Sequence, residues 1–276
     1  MTQRAIERRL RRHPSQDGDG VKISRIHDFG GGLDPFLMLD ELGSEHPDDY
    51  IGGFPPHPHR GIQTLTYVLN GGLTHEDHLG HASTIGPGDA QWMHTGHGII
   101  HSEMPLTDSQ GLHAFQLWLN LPARDKLSAA TYRDVKADQM PRIAAAGSEL
   151  IALGGDWWLD GEGVSGPLDA LAGHGAVAHL RFSPGALTLE QAAATFLLYV
   201  FEGRLEAGGE KLEQGELARF GPGNEVLLSG DTHAQALLLA GTPYNEPIAH
   251  YGPFVMNTRE ELDQALRDYR DGTLAQ

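Results

Sequence analysis

Apolar and polar positions alternate along several short runs of this chain. Val21-Lys22-Ile23-Ser24-Arg25-Ile26 alternates as a strand does, and so does Leu112-His113-Ala114-Phe115-Gln116-Leu117-Trp118. Thr64 to Asn70 runs into Gly71-Gly72, the pattern of a strand entering a tight turn. Leu33 to Leu42 mixes apolar residues with Asp34, Asp40 and Glu41 and is expected to pack as a strand with its connection. From Gly53 to Pro122 short β-like runs are separated by Gly and Pro, which points to antiparallel sandwich or barrel architecture. Only the end of the chain changes period. Leu262, Ala265, Leu266 and Tyr269 recur at helical spacing behind an N-cap at Asn257 or Thr258, with Glu260 and Glu261 in the first turn. Its apolar face is expected to pack on a barrel of its own chain.

The second half repeats the first weakly. Tyr199-Val200-Phe201-Glu202-Gly203 echoes Tyr67-Val68-Leu69-Asn70-Gly71, and Gln214-Gly215-Glu216 echoes Pro87-Gly88-Asp89. The expected fold is all-β, with two jelly-roll barrels in tandem and a short C-terminal helix. A first barrel over 15–123 is followed by a connection over 124–150, a second barrel over 151–247 and the helix over 257–271. Trp157 and Trp158, in a Gly/Asp-rich stretch, are expected to pack under a loop.

Composition narrows the function classes. Against 20 Lys+Arg stand 37 Asp+Glu, a formal charge of −17, which opposes direct nucleic-acid binding and adhesion to anionic lipid. The chain has no cysteine, hence neither disulfides nor thiolate ligands. No stretch of its 276 residues has the length of a transmembrane helix, and no signal-peptide core follows the start, so a cytoplasmic monomer is expected. Residues 1–14 are locally basic; the plain reading is a frayed terminus, the other an arm for an acidic partner or for the protein's own acidic body. Gly30-Gly31-Gly32 lacks the Lys-Ser/Thr of a phosphate loop.

The chemistry concentrates between Gly53 and Glu103. His57 and His59 are two apart, and so are His101 and Glu103; on a strand, residues i and i+2 share a face. Two such pairs on neighbouring strands would aim three imidazoles and one carboxylate into one space, a donor set suited to a borderline divalent transition metal. The histidines around them are weighed separately. His75, Asp77, His78 and His81 follow a turn and read as a polar, solvated run, with a second metal site as the alternative. His94 and His97 could line the mouth of the pocket as proton shuttles or be plain loop residues. For His113, the pattern does not choose between barrel interior and solvent. In the second half, the positions matching the two pairs are Leu189, Gln191, Leu228 and Gly230, so no ligand survives there, and His233 is expected to be inert.

These residues carry a resemblance. "GFPPHPHRG", "TYVLNGG", "HEDHLGH", "PGDAQWM" and "GIIHSEMP", with "LDPFLMLDEL" near the start and "YGPFVMNTREELDQALRDY" at the end, resemble the motif blocks of the pirin family, bicupins of the cupin superfamily. The resemblance implies two cupin-type barrels and one mononuclear metal in the first, on His57, His59, His101 and Glu103. Iron(II) is the metal it favours, with manganese, nickel, cobalt, copper or zinc also suited. It departs from the wider cupin pattern at Gln63, where a glutamate is usual.

The resemblance also implies two functions. One is a metal-dependent dioxygenase of the quercetinase type, which opens a flavonol such as quercetin with dioxygen. Glu103 would there be a fixed ligand or the catalytic base. The other is an iron-containing, redox-sensing binding protein that modulates a transcription factor or metabolic enzyme. The first requires a chelating phenol and dioxygen as partners, the second a protein.

Overall fold

The computed structural model of the protein describes residues 2–107 and 110–276. The chain begins with β1 (Ile6–Arg11), β2 (His13–Asp17), β3 (Val21–His27), β4 (Phe36–Ser44), β5 (Phe54–His59) and β6 (Ile62–Asn70). It continues with β7 (Leu73–Asp77), β8 (Ala82–Ile85), β9 (Ala90–His94), β10 (Ile99–Pro105), β11 (Leu112–Asn120) and β12 (Thr131–Val135). Next come β13 (Arg142–Ala145), β14 (Ser148–Leu159), β15 (Glu162–Pro167), β16 (Ala176–Phe182), β17 (Gly185–Glu190) and β18 (Thr195–Ala207). Then follow β19 (Glu210–Glu213), β20 (Glu216–Phe220), β21 (Glu225–Gly230), β22 (Ala234–Gly241), β23 (Ala249–Tyr251), β24 (Phe254–Met256) and one helix, α1 (Arg259–Arg270). No described helix is long and apolar enough to cross a membrane.

Two units result. The first combines His13–Ala137 with Tyr244–Gln276; the second combines Asp138–Pro243 with the N-terminal segment through Arg12. In the first, a seven-stranded sheet runs β12-β9-β6-β11-β4-β3-β2, and a four-stranded sheet runs β5-β10-β7-β8. The second unit repeats this plan with its strands joined into one eleven-stranded sheet. Antiparallel pairings lead from β1 through β20, β18, β22, β16 and β14 to β13. A second path joins β17, β21, the end of β18 and β19. Thus β1 does for the second unit what β12 does for the first: each covers one edge of its sheet.

This pairing revises three expectations. The basic N-terminus is no frayed arm: Leu10 pairs Leu217 and Arg11 pairs Glu216. Arg4 is buried and donates to the carbonyls of Gln191, Ala193 and Gly221. Residues 124–150 are not a loose connection. Over that span β12 pairs β9 in the first unit, while β13 and the start of β14 open the sheet of the second. Their lack of a sustained period follows from strands only four or five residues long. Beyond Pro243 the chain belongs to the first unit, so the boundary at 247 moves to 243 and the tail is part of that unit.

Buried polar contacts hold this tail. Lys126, 1% exposed, donates to the carbonyls of Gly61 and Val255 and to Asn120 Oδ1 at 2.7–2.9 Å. Arg60 pairs with Asp268 at 2.6 Å. Gly61 has φ 81, and a Cβ there would collide with the Val255 carbonyl, so a side chain is excluded on both counts. Helix α1 begins at Thr258 with a reciprocal capping box to Glu261, an arrangement worth about 1 kcal/mol. Its Leu262 and Ala265 pack with Phe254, Met256 and Leu274.

The two cores differ in texture. In the second unit one continuous cluster of Leu, Phe, Ala and Val side chains fills the interior, Trp157 among them. Trp157 and Trp158 stand on β14 and not under a loop; Trp158, one residue on, is exposed. The clusters of the first unit include one around Val68 and Leu73, one around Ile62 and Trp118, and one under the helix. Buried polar groups accompany them, including His59, His75, His101 and Glu103.

Candidate metal centre

Strand β5 reads Phe-Pro-Pro-His-Pro-His, and three prolines in six residues could not serve a central strand. It stands at the edge of its sheet and pairs only with β10, where the missing N–H groups cost nothing. The register sets His101 opposite His57 and Ile99 opposite His59. The rings of His57, His59 and His101 lie 4.4–5.1 Å apart between centroids, and one donor nitrogen from each falls within 4.8 Å of the others.

The nitrogens suit a cation. His57 Nδ1 donates to the Pro55 carbonyl at 2.9 Å, which leaves the Nε2 lone pair free. Nε2 of His101 is buried without a hydrogen-bond partner, and His59 has no well-formed hydrogen bond, only the nearby Pro253 carbonyl. Buried polar atoms are rarely left so. Burial holds the His59 pKa well below the usual imidazole value. His57 beside it lowers it further, and the Pro253 carbonyl offsets part of this. His101 is held low by burial first, then by His59, His57 and His75. Neutral imidazoles are the form a metal requires. The residues present therefore fit a borderline divalent ion with nitrogen ligands.

Glu103 sits differently. The register slips between His101 and Glu103, which faces Phe54 and not Pro55. Its carboxylate lies outside the group formed by the three imidazoles. Thr66 donates to Oε1 at 3.1 Å and Gln116 to Oε2 at 2.7 Å, so the buried carboxylate is oriented by two neutral donors. The extra residue is on β5; β10 pairs regularly with β7, so Glu103 keeps the face of His101, with its carboxylate turned to Thr66 and Gln116.

A cavity of about 400 Å³ opens on His57 and His59. Phe29, Met38, Phe54 and Trp118 give it apolar walls, and Gln116 joins it to Glu103. His250 of β23 lines it too, stacked on Phe29 with ring centroids 3.6 Å apart. Arg25 reaches the lining but is already held by Asp40 and Asp17. The volume and the aromatic walls fit a small flat molecule.

The remaining histidines fall into place. His94 and His97 are not in the cavity lining: His94 meets Gln63 and Ser128 Oγ, and His97 Nδ1 meets the Ser128 carbonyl. Gln63 is itself buried on β6. His113 pairs with Glu41 at 3.1 Å. The run after the Gly71-Gly72 turn is not uniformly solvated, because His75 is 1% exposed and lies against His101. The sequence reading set His75 in a solvated run; the signal against it was the alternation of Leu73 and His75 on one face of β7, both buried.

Two family models match, described as Pirin over residues 21–119 and Pirin C-terminal cupin domain over residues 177–275. A Pseudomonas aeruginosa protein named "Putative quercetin 2,3-dioxygenase" is 44% identical, over 95% of each chain. The chain belongs to the pirin family. Human pirin is 35% identical, over 87% of this chain and 82% of its own. Among solved structures, quercetin 2,3-dioxygenase from Acinetobacter baumannii superposes with a TM-score of 0.90 at 30% identity, covering 99% of this chain and 98% of that one. The two units are thus the tandem cupin domains of a pirin.

Proposed function

We propose that this pirin is a metal-dependent dioxygenase of the quercetinase type, opening a flavonol with dioxygen at a metal held by His57, His59 and His101. The observation that carries the reading is the cluster of three imidazoles, two of them buried, on an aromatic-walled cavity. The similarity to proteins named quercetin 2,3-dioxygenase supports it by analogy. A divalent ion there, iron(II) by preference, would supply Lewis acidity and electron transfer between a chelating phenolate and dioxygen.

The protein's own residues do the rest. Phe29, Met38, Phe54 and Trp118 exclude water around a flat substrate. The Glu103 carboxylate, fixed by Thr66 and Gln116, takes the proton from the substrate hydroxyl. Its place outside the imidazole group favours this role over that of a permanent fourth ligand.

The second reading is an iron-containing, redox-sensing binding protein that modulates a transcription factor or metabolic enzyme; the likeness to human pirin keeps it open. Oxygen uptake with quercetin decides between the two. Metal-loaded protein should consume oxygen and metal-free protein should not. No uptake with iron, manganese, nickel, cobalt or copper bound would leave the binding reading.

A further inference from the structure

We infer that His75 is a positioning residue: it accepts a hydrogen bond from His101 Nδ1–H and so fixes the tautomer in which His101 Nε2 faces the metal. The inference rests on the metal-site reading above. Strand β7 pairs with β10 so that His75 lies directly opposite Glu103. The alternation of β7 turns His75 inward with Leu73, where it is 1% exposed. His75 Nδ1 and His101 Nδ1 are 3.3 Å apart.

A nitrogen-to-nitrogen hydrogen bond needs one donor and one acceptor, and a neutral imidazole has one of each. The other nitrogen of His101, Nε2, is buried and without a partner, on a ring that belongs to the imidazole cluster. A ligand must keep its lone pair on the coordinating atom, so the proton of His101 belongs on Nδ1 and requires an acceptor. His75 Nδ1 is the acceptor within reach. His57 meets the same requirement through the Pro55 carbonyl. The site thus uses a backbone acceptor on its edge strand and a side-chain acceptor on the strand behind.

The arrangement has a cost that identifies its purpose. With Nδ1 accepting, the proton of His75 is on Nε2, and that atom is buried without a partner. An apolar side chain would occupy the same place beneath the stacked ring of Tyr132 without this penalty. The histidine therefore serves its neighbour and not the stability of the fold.

Cobalt(II) affinity of the full-length, metal-free protein tests this, measured by competition with a chelator for wild type, His75→Asn and His75→Leu. Asparagine can place an oxygen acceptor where Nδ1 was; leucine cannot. His75→Leu should bind cobalt about 10- to 100-fold more weakly, while His75→Asn stays within about threefold of wild type. The cobalt visible spectrum should shift in the leucine variant alone. Unchanged affinity in His75→Leu, or equal losses in both variants, overturns the inference. Should the leucine variant fail to fold, long-range ¹H–¹⁵N spectra of metal-free wild type give an independent answer. A proton on His101 Nδ1 supports the inference, and one on Nε2 overturns it. Wild type that binds no cobalt would instead refute the metal-site reading, a result distinct from either tautomer.

Discussion

The strand pairs β5–β10 and β17–β21 occupy matching places in the two units. In the first, His57 faces His101; in the second, Leu187 faces Leu228. Around the first pair the interior holds unpartnered imidazole nitrogens and a cavity. Around the second it is a continuous apolar cluster that includes Leu187, Leu189 and Leu228. One architecture thus supports either a site or a filled core. A site needs polar groups that the fold leaves unsatisfied, and a core cannot tolerate them.

Breaking the first pair should have the largest effect. A His57→Ala/His101→Ala variant should lose essentially all bound metal by elemental analysis, because one imidazole cannot hold the ion alone. His233→Ala, on the exposed surface of the second unit, should keep one metal per chain. Retained metal in the double variant, or loss from His233→Ala, would undo the contrast.

Within the first unit, Glu103→Gln separates base from ligand. Amide and carboxylate have the same shape, but the amide takes up no proton. Removing a general base lowers kcat by roughly 10²- to 10⁴-fold while metal uptake persists. If saturating metal restores the rate, Glu103 is a ligand.

Moving the chemistry the other way tests the second unit. Leu228→His would bury an imidazole without a partner among Leu, Phe and Ala side chains. It should cost about 2–5 kcal/mol, read by urea unfolding, and create no metal site. A neutral outcome would mean the second core is looser than its burial implies.

How much of this was readable beforehand depends on the range of the interaction. His57, His59 and His101 were legible because the two-residue repeat of a strand is local, and the edge position of β5 allows its prolines. The offset of the internal repeat was legible only approximately: it matched His57 with Leu189, whereas pairing sets Leu187 opposite Leu228. Both are apolar, so the absence of ligands at these positions holds in either register. The place of the Glu103 carboxylate outside the imidazole group was not legible, since it depends on how the strands meet. His75 was hidden for the same reason: its polar neighbours suggest solvent, and only β10 makes its face interior. The N-terminal strand exists because β20, some two hundred residues away, offers it an edge.

The smallest effect concerns how each unit secures a terminal segment. The second holds its N-terminal segment with buried Arg4, whose guanidinium meets three carbonyls; burial lowers its pKa, but an arginine does not lose its proton near neutrality. The first holds its C-terminal segment with Lys126, whose pKa burial pushes down to about 8. Between about 8 and the ordinary 10.5, the unfolded chain keeps a proton that the folded one has released. Unfolding then takes up a proton, so this group's contribution to stability rises with pH across that window and is flat below it. Wild type should gain about 1 kcal/mol relative to Lys126→Met between pH 8 and pH 9, measured by urea unfolding of metal-free protein at both values. The three acceptors around Nζ favour the ammonium form, because neutral lysine can satisfy only two of them. Parallel pH profiles for the two proteins would show that these acceptors keep Lys126 charged, making it as fixed a cation as Arg4.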